Sequence, residues 1–165
     1  MTIRLATPAD LPKIPAIELS GAQSFRGMDV PETLFHDVSP VERWIPLQAA
    51  GTVWVAEDAA AEVVGFLAAT RHGERLHIDE FAVVQGAQGR GLGRRMVVEV
   101  IDWARREGLA ALSLTTFRSV PWNAPFYRSC GFQAWTDGLA PDVEAELQIG
   151  AAKGLKDRCA MRLQL

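Results

Sequence analysis

The stretch Gln88-Gly89-Arg90-Gly91-Leu92-Gly93-Arg94-Arg95 joins a predicted strand to a predicted helix. Residues 76–84 are rich in apolar and β-branched side chains, as is typical of a strand. Residues 93–106 carry apolar side chains at helical spacing, which predicts an amphipathic helix that ends at Gly108. The N–H groups at a helix N-terminus point outward, and the helix dipole adds about half a positive charge. The glycine turn is therefore a candidate anion site.

The charges around this turn favour an anion. Arg90, Arg94 and Arg95 flank it, and no acidic residue lies between Gly86 and Val98. The simpler alternative is a tight turn with solvated arginines. Two common phosphate motifs do not fit: the chain lacks the Gly-Lys-Ser/Thr ending of a P-loop, and the third glycine of a dinucleotide fingerprint would fall on Arg94.

The segments around the turn predict a mixed α/β sheet with helices on its faces. Residues 52–56, 63–70 and 76–84 are strand-like and separated by short turns, which predicts an antiparallel meander. The helix at 93–106 and a strand at 111–117 then predict a parallel crossover. The other predicted elements are a first strand at 3–7, a helix from about residue 15, one or two short helices within 20–50, a short helix at 123–130, and last strands at 132–135 and 159–163.

The composition is typical of one globular domain. The chain has 165 residues, of which 48% are hydrophobic and 22% charged, and its net charge is −3. This mild acidity argues against general binding to nucleic acid or to a membrane surface. No apolar run reaches the roughly 18 residues that span a bilayer, and the first residues lack a secretion signal. We expect a cytoplasmic protein without a bound metal, in which Cys130 and Cys159 are reduced thiols.

A second motif follows the glycine turn after one predicted helix and one predicted strand. Asn123-Ala124-Pro125-Phe126-Tyr127-Arg128-Ser129-Cys130-Gly131-Phe132 places an Asn before a short helix that carries a Tyr, and Gly-Phe leads into a strand. Together with Gln88, Gly91 and Gly93, this motif resembles the GNAT superfamily of N-acetyltransferases. The resemblance covers residues 76–132 well and residues 1–75 only in the order of elements.

The resemblance implies a fold and an activity. The fold is a single GNAT domain over residues 1–165, with a mixed, mostly antiparallel sheet of about seven strands and about four helices. The activity is transfer of an acetyl group from acetyl-CoA to a primary amine of a small molecule or peptide, by a monomer or a homodimer. An alternative is a CoA-binding regulatory module with the same fold and little turnover. A toxin that acetylates charged tRNA is disfavoured by the net charge of −3.

The resemblance also implies the residues that hold acetyl-CoA. The end of the strand before the turn would bond the acetyl group and the pantetheine through its backbone, the turn would bind the pyrophosphate, and the second motif would complete the site. These positions are Phe81, Ala82, Val83, Gln88, Gly89, Arg90, Gly91, Leu92, Gly93, Arg94, Asn123 and Phe126.

Four residues are candidates for acid–base chemistry. Tyr127 occupies the position of the family's general acid, and its alternative role is to pack its ring against the sheet. The incoming amine must lose a proton, for which the strand offers His77, Asp79 and Glu80. Strand alternation puts His77 and Asp79 on one face and Glu80 on the other. The resemblance ranks His77 and Asp79 ahead, because they align with two histidines of a member of the family, and a bulge in the strand would reverse that order. The alternative for all three is a solvated strand face.

The sequence gives little information about the residues that bind the acceptor amine. In the family, the acceptor pocket borders the first two helices and the last strands, which here implies Phe25, Trp44 and Trp122, with Arg26 and Met28 nearby. Aromatic side chains suit an apolar or cationic amine. Ordinary packing explains each of them equally well, so the identity of the amine stays open.

Overall fold

The computed structural model describes residues 1–165 and contains a seven-stranded mixed sheet. The strands are β1 Thr2–Leu5, β2 Val53–Glu57, β3 Val63–His72, β4 Arg75–Val83, β5 Ala111–Phe117, β6 Gln133–Ala134 and β7 Arg158–Gln164. Their order across the sheet is β1-β2-β3-β4-β5-β7-β6. The prediction of a mixed sheet of about seven strands is confirmed.

The sheet is accompanied by α-helices and short 3-10 segments. The α-helices are α1 Ile14–Ala22, α2 Ile45–Ala49, α3 Leu92–Arg106, α4 Ala124–Ser129 and α5 Pro141–Ala152. The 3-10 segments are Pro8–Lys13, Gln23–Phe25, Glu32–Phe35, Val41–Arg43 and Gln85–Ala87. No helix combines the length and the apolarity that crossing a bilayer requires.

Helix α5 is the element that the sequence did not predict. Pro141 at its start and acids in its first turn, Asp142 and Glu144, are ordinary helix-start signals. The helix lacks a continuous apolar stripe, because its buried residues are only Val143 and Gly150. Periodicity, the main signal for a helix in a sequence, is therefore weak in this segment.

Strand pairing agrees with the predicted meander and crossover. Strand β2 pairs antiparallel with β1 and with β3. Strand β4 pairs parallel with β5 after the crossover through α3, and β7 pairs antiparallel with β5 and β6. The β4–β5 ladder extends from Arg75–Ala111 to Ile78–Leu114, and both strands continue beyond its last pair.

The chain divides into two compact units, which we describe separately. The first comprises Met1–Met28, Glu32–Thr70 and Asp79–Val100. Its buried core cluster draws on the first 3-10 segment, α1, β2 and β3, and consists of Ala6, Leu11, Ile14, Ile17, Trp44, Val53, Val55, Phe66 and Ala68. On α3, the predicted apolar stripe is buried in this unit at Met96, Val97 and Val100.

The second unit comprises Asp29–Pro31, Arg71–Ile78 and Ile101–Leu165. Strand β5 lies between β4 and β7, and α5 contacts both β5 and β7. Buried apolar side chains from these strands and from the neighbouring segments form its core, including Leu112, Leu114, Phe132, Val143 and Met161.

Candidate functional site

The glycine turn of the first unit is open and backbone-rich. Gly89 and Gly91 have φ angles of +73° and +76°, a conformation that other residues adopt only with strain. A Cβ atom added to either glycine would have no neighbouring atom within 4 Å, so the space over the turn is empty. Helix α3 begins at Leu92, whose side chain is buried and anchors the helix start. The turn can therefore present backbone N–H groups to an anion.

The arginines at the turn divide into two groups. Arg90 and Arg94 are exposed and stand beside the helix N-terminus. Arg95 instead donates from Nη2 to the carbonyl oxygen of Met1, at 3.1 Å, and so is engaged with the chain's first residue. The helix dipole adds to the positive charge that these arginines bring to the turn.

Gln88 fixes the turn to the elements around it. Its side-chain amide donates from Nε2 to the carbonyl oxygen of Val83 at 2.8 Å, at the end of β4. Its Oε1 accepts a hydrogen bond from Ser24 Oγ at 2.8 Å. These bonds engage both the nitrogen and the oxygen of the side-chain amide, so Gln88 holds the turn in place. The groups available to bind an anion are then the backbone N–H groups and the arginines of the turn.

The end of β4 lies directly under α1. A Cβ atom added to Gly21 would be 3.2 Å from Cβ of Ala82 and 3.4 Å from the carbonyl oxygen of Val83. Val83 is buried, whereas Phe81 and Ala82 are half-buried. A Cβ atom at this position would be crowded, so the glycine favours the close approach of the helix to this strand end.

The two acids of β4 lie in different surroundings. Asp79 accepts a hydrogen bond on Oδ2 from Thr70 Oγ1 at 2.7 Å. Glu80 accepts a bond on Oε1 from the Phe81 N–H at 3.3 Å and also interacts electrostatically with Glu18 of α1. Both residues are half-buried, so each can contact a substrate.

Glu18 was missed by the sequence analysis. Its Oε2 accepts a hydrogen bond from the Ser39 N–H at 3.0 Å, while its Oε1 is buried without a partner. Burial and then the nearby Glu80 carboxylate raise the pKa of Glu18 to about 7, against smaller opposing effects of Ser39 and Arg43. No local signal marks this residue, because its environment depends on the packing of α1 against β4.

The aromatic candidates of the first unit differ in exposure. Trp44 is fully buried, packs edge-on against Phe66 with ring centroids 5.7 Å apart, and lies under the Arg43 guanidinium. This burial favours a packing role for Trp44. Phe25 is half-buried at the end of its 3-10 segment, where a side chain can both pack and meet a ligand.

The second motif forms an ordered element of the second unit. The Asn123 side chain accepts a hydrogen bond on Oδ1 from Thr116 Oγ1 at 2.7 Å, which ties the start of α4 to β5. Tyr127 is 9% exposed, with its ring centroid 5.1 Å from that of Phe126 and 5.7 Å from that of Phe132. Trp122, just before the motif, is 44% exposed.

His77 lies in a buried polar network of the second unit. It is 3% exposed, its Nε2 lies 2.6 Å from Glu146 Oε2, and its Nδ1 lies 2.8 Å from Ser113 Oγ. Arg75 extends the network, bonding Ser113 and binding both oxygens of Asp142 at 2.7 Å. Burial tends to raise the pKa of Glu146, but the hydrogen bond from His77 and further contacts lower it overall.

Comparison with known proteins identifies a family. The sequence profile described as "Acetyltransferase (GNAT) family" matches residues 22–132. A curated protein, glucosamine 6-phosphate N-acetyltransferase 1 from Oryza sativa subsp. japonica, is 34% identical over 120 residues. The alignment covers 66% of this chain and 63% of that protein, so the chain spans less than two thirds of this relative's length.

Solved structures share the fold at low sequence identity. A ribosomal-protein-alanine N-acetyltransferase from Brucella melitensis has a TM-score of 0.73 at 22% identity, with 100% of both chains covered. N-acetylglutamate synthase from Neisseria gonorrhoeae, solved with coenzyme A and N-acetyl-glutamate, has a TM-score of 0.73 at 18% identity. That match covers 99% of this chain and 35% of the synthase chain.

Proposed function

Because this chain belongs to the acetyltransferase (GNAT) family, we propose that residues 1–165 act as one N-acetyltransferase domain that acetylates a primary amine with acetyl-CoA. The observation that carries this proposal is the open glycine turn at the N-terminus of α3, flanked by two exposed arginines. A turn of this kind suits a pyrophosphate, which is small and doubly charged. The acceptor would be an amine of a small molecule or a peptide.

The residues of the turn and of β4 fit acetyl-CoA in complementary ways. The backbone N–H groups of Gly89–Gly93 and the guanidinium groups of Arg90 and Arg94 would hold the pyrophosphate. The backbone of Phe81–Val83, beyond the β4–β5 ladder, would hold the pantetheine and the acetyl carbonyl, as it does in the family. When bound, acetyl-CoA supplies the acetyl group as an activated thioester.

Two proton transfers are assigned to side chains. Tyr127 would donate its phenolic proton to the departing thiolate, a task for which a group of pKa about 10 must be held close to the sulfur. An acidic residue would accept a proton from the incoming ammonium. Because His77 is buried in a network with Glu146, we favour Asp79 and Glu80 over His77 for this role.

The acceptor is proposed only as a class. The rice relative is named for an amino sugar phosphate, and the Neisseria synthase was solved with an N-acetylated amino acid. A half-buried carboxylate such as Glu80 suits the positive charge that such amines carry near neutral pH. Phe25 and Trp122 are the aromatic candidates with enough exposure to contact an acceptor.

The test is an assay of acetyl-CoA-dependent thiol release over a panel of amino sugars, amino acids, polyamines and peptides. We expect turnover with at least one class, and an Arg94→Ala variant should raise the KM for acetyl-CoA about tenfold. Arg105→Ala is the matched control, since Arg105 is exposed on the same helix and pairs with Asp102. Thermal stabilisation by CoA without turnover on any amine would instead favour the CoA-binding regulatory module.

A further inference from the structure

Glu18 lies on the face of α1 that packs against β4. Gly21, one helical turn later, is the residue whose added Cβ would lie 3.2 Å from Cβ of Ala82. Residues three apart in a helix share a face, as do residues two apart in a strand. The contact between Gly21 and Ala82 therefore sets Glu18 over Glu80, and the two carboxylates interact.

One carboxylate oxygen of Glu18 has no hydrogen-bond donor. Oε2 accepts the Ser39 N–H at 3.0 Å, whereas Oε1 is buried and receives no hydrogen bond. A buried carboxylate oxygen without a donor is costly, because it has lost its water without a replacement. Such an oxygen can be protonated by solvent, or it can take a proton from a cationic ligand.

The charged groups that face Glu18 are few. Glu80 approaches from β4 and disfavours a second negative charge, while Arg43, from the 3-10 segment Val41–Arg43, favours it. The Arg43 guanidinium is itself engaged, since its Nη1 donates to Ser39 Oγ at 3.0 Å and its Cζ lies 4.6 Å from the centroid of the Trp44 ring. Because Arg43 also bonds Ser39 and stacks on Trp44, it neutralises the charge of Glu18 only in part.

We propose that Glu18 is the group that takes the proton from the acceptor's ammonium, with Glu80 beside it attracting the positive charge. This proposal rests on the proposed N-acetyltransferase activity. In the step, one N–H bond of the ammonium breaks and an O–H bond forms on Glu18. The nitrogen keeps the electron pair of the broken bond and uses it to attack the acetyl carbonyl carbon. The C–S bond of the thioester then breaks, the thiolate takes the proton of Tyr127, and the second proton lost by the nitrogen restores the Tyr127 phenol.

Glu18 is better suited to this step than the acids of β4. Asp79 Oδ2 already accepts the Thr70 hydroxyl, and Glu80 Oε1 already accepts the Phe81 N–H. A base works best when its pKa lies near the working pH, and the raised pKa of Glu18, about 7, meets that condition. A carboxylate with the ordinary glutamate pKa of 4.5 would be a much weaker proton acceptor.

The test compares Glu18→Gln with the wild type on the best amine found in the panel. We expect kcat/KM to fall about 100-fold and the acid-side limb of the pH profile, near pH 7 in the wild type, to disappear. Glu18→Asp should recover part of the rate. Glu42→Gln is the matched control, because Glu42 is exposed on the 3-10 segment that also carries Arg43.

Two outcomes would overturn the assignment, and they differ. If the wild type turns over an amine and Glu18→Gln keeps both the rate within about twofold and the same pH limb, Glu18 is not the proton acceptor. If the wild type acetylates no amine in the panel while still binding CoA by calorimetry, the proposed activity fails, and the role of Glu18 fails with it.

Discussion

His77 Nε2 lies 2.6 Å from Glu146 Oε2, so the strand β4 and the helix α5 are joined by a partly buried hydrogen bond within the second unit. Ser113 Oγ approaches the other ring nitrogen at 2.8 Å, and Thr115 donates to the remaining oxygen of Glu146 at 2.6 Å. Each of these bonds links α5 or β5 to a neighbouring element. The arrangement favours a structural task for His77, since both of its ring nitrogens are engaged.

Glu146→Gln should destabilise the fold by about 2 kcal/mol, because it replaces a charge-assisted hydrogen bond with a neutral one. Urea denaturation at pH 7 measures the change. Glu144→Gln, an exposed position on the same helix, should change stability by less than about 0.5 kcal/mol. Equal effects of the two substitutions would show that the His77–Glu146 bond contributes nothing to stability.

The same pair gives a pH dependence. Because the pKa of Glu146 is lowered in the folded protein, its stabilising contribution is present above the ordinary glutamate pKa and is lost as the pH falls through the folded value. The difference in unfolding free energy between wild type and Glu146→Gln should therefore shrink in acid.

The elements around the candidate site could be predicted because their signals are local. The glycine turn and α3 are specified by glycines at positive φ and by a strong apolar stripe, and both lie in one short stretch. The Tyr127 motif likewise forms the short helix that its sequence predicts, Ala124–Ser129. These elements need no distant contacts to be identified.

The features that were missed depend on contacts between distant parts of the chain. Glu18 acquires its environment from β4 and from the segment around Ser39, neither of which is near it in sequence. Helix α5 has little apolar periodicity. It is held on the sheet partly by hydrogen bonds of Asp142 and Glu146 with side chains of β4 and β5, in addition to its buried apolar residues. The resemblance makes His77 a candidate base, and the sequence does not reveal that its side chain is buried.

Gly91→Ala should weaken CoA binding about tenfold and lower stability by about 1 kcal/mol. The stability loss comes from forcing alanine to φ +76°, and the weaker binding comes from a methyl group over the open turn. Gly73→Ala is the matched control, because Gly73 in the β3–β4 turn has φ +61° and equally open surroundings. It should lose similar stability and bind CoA normally by calorimetry; a matching loss of CoA affinity would mean that backbone strain alone explains the effect.

Tyr127→Phe should lower kcat about 100-fold and leave the KM for acetyl-CoA within about twofold, because only the proton donor is removed. The ring contacts with Phe126 and Phe132 are kept, so the variant should fold and show the circular dichroism spectrum of the wild type. Steady-state kinetics at saturating amine provides the measurement. Since the chain has 1 tyrosine, ultraviolet titration of the wild type follows this phenol alone. Undiminished turnover in the variant would remove Tyr127 from the reaction.

The raised pKa of Glu18 predicts an effect on folding that requires no substrate. Its ordinary pKa is 4.5, and burial followed by the charge of Glu80 raises it to about 7 in the folded protein. Between these values the folded chain binds a proton that the unfolded chain has released, so the contribution of Glu18 to stability falls as the pH rises. Glu18→Gln cannot titrate and should therefore gain stability relative to wild type from about pH 4.5 to about pH 7, with no further gain above pH 8. Urea denaturation followed by circular dichroism across this range measures the difference. The exposed control Glu42→Gln should show a constant offset from wild type, and a constant offset in Glu18→Gln as well would mean that Glu18 titrates as an ordinary surface acid.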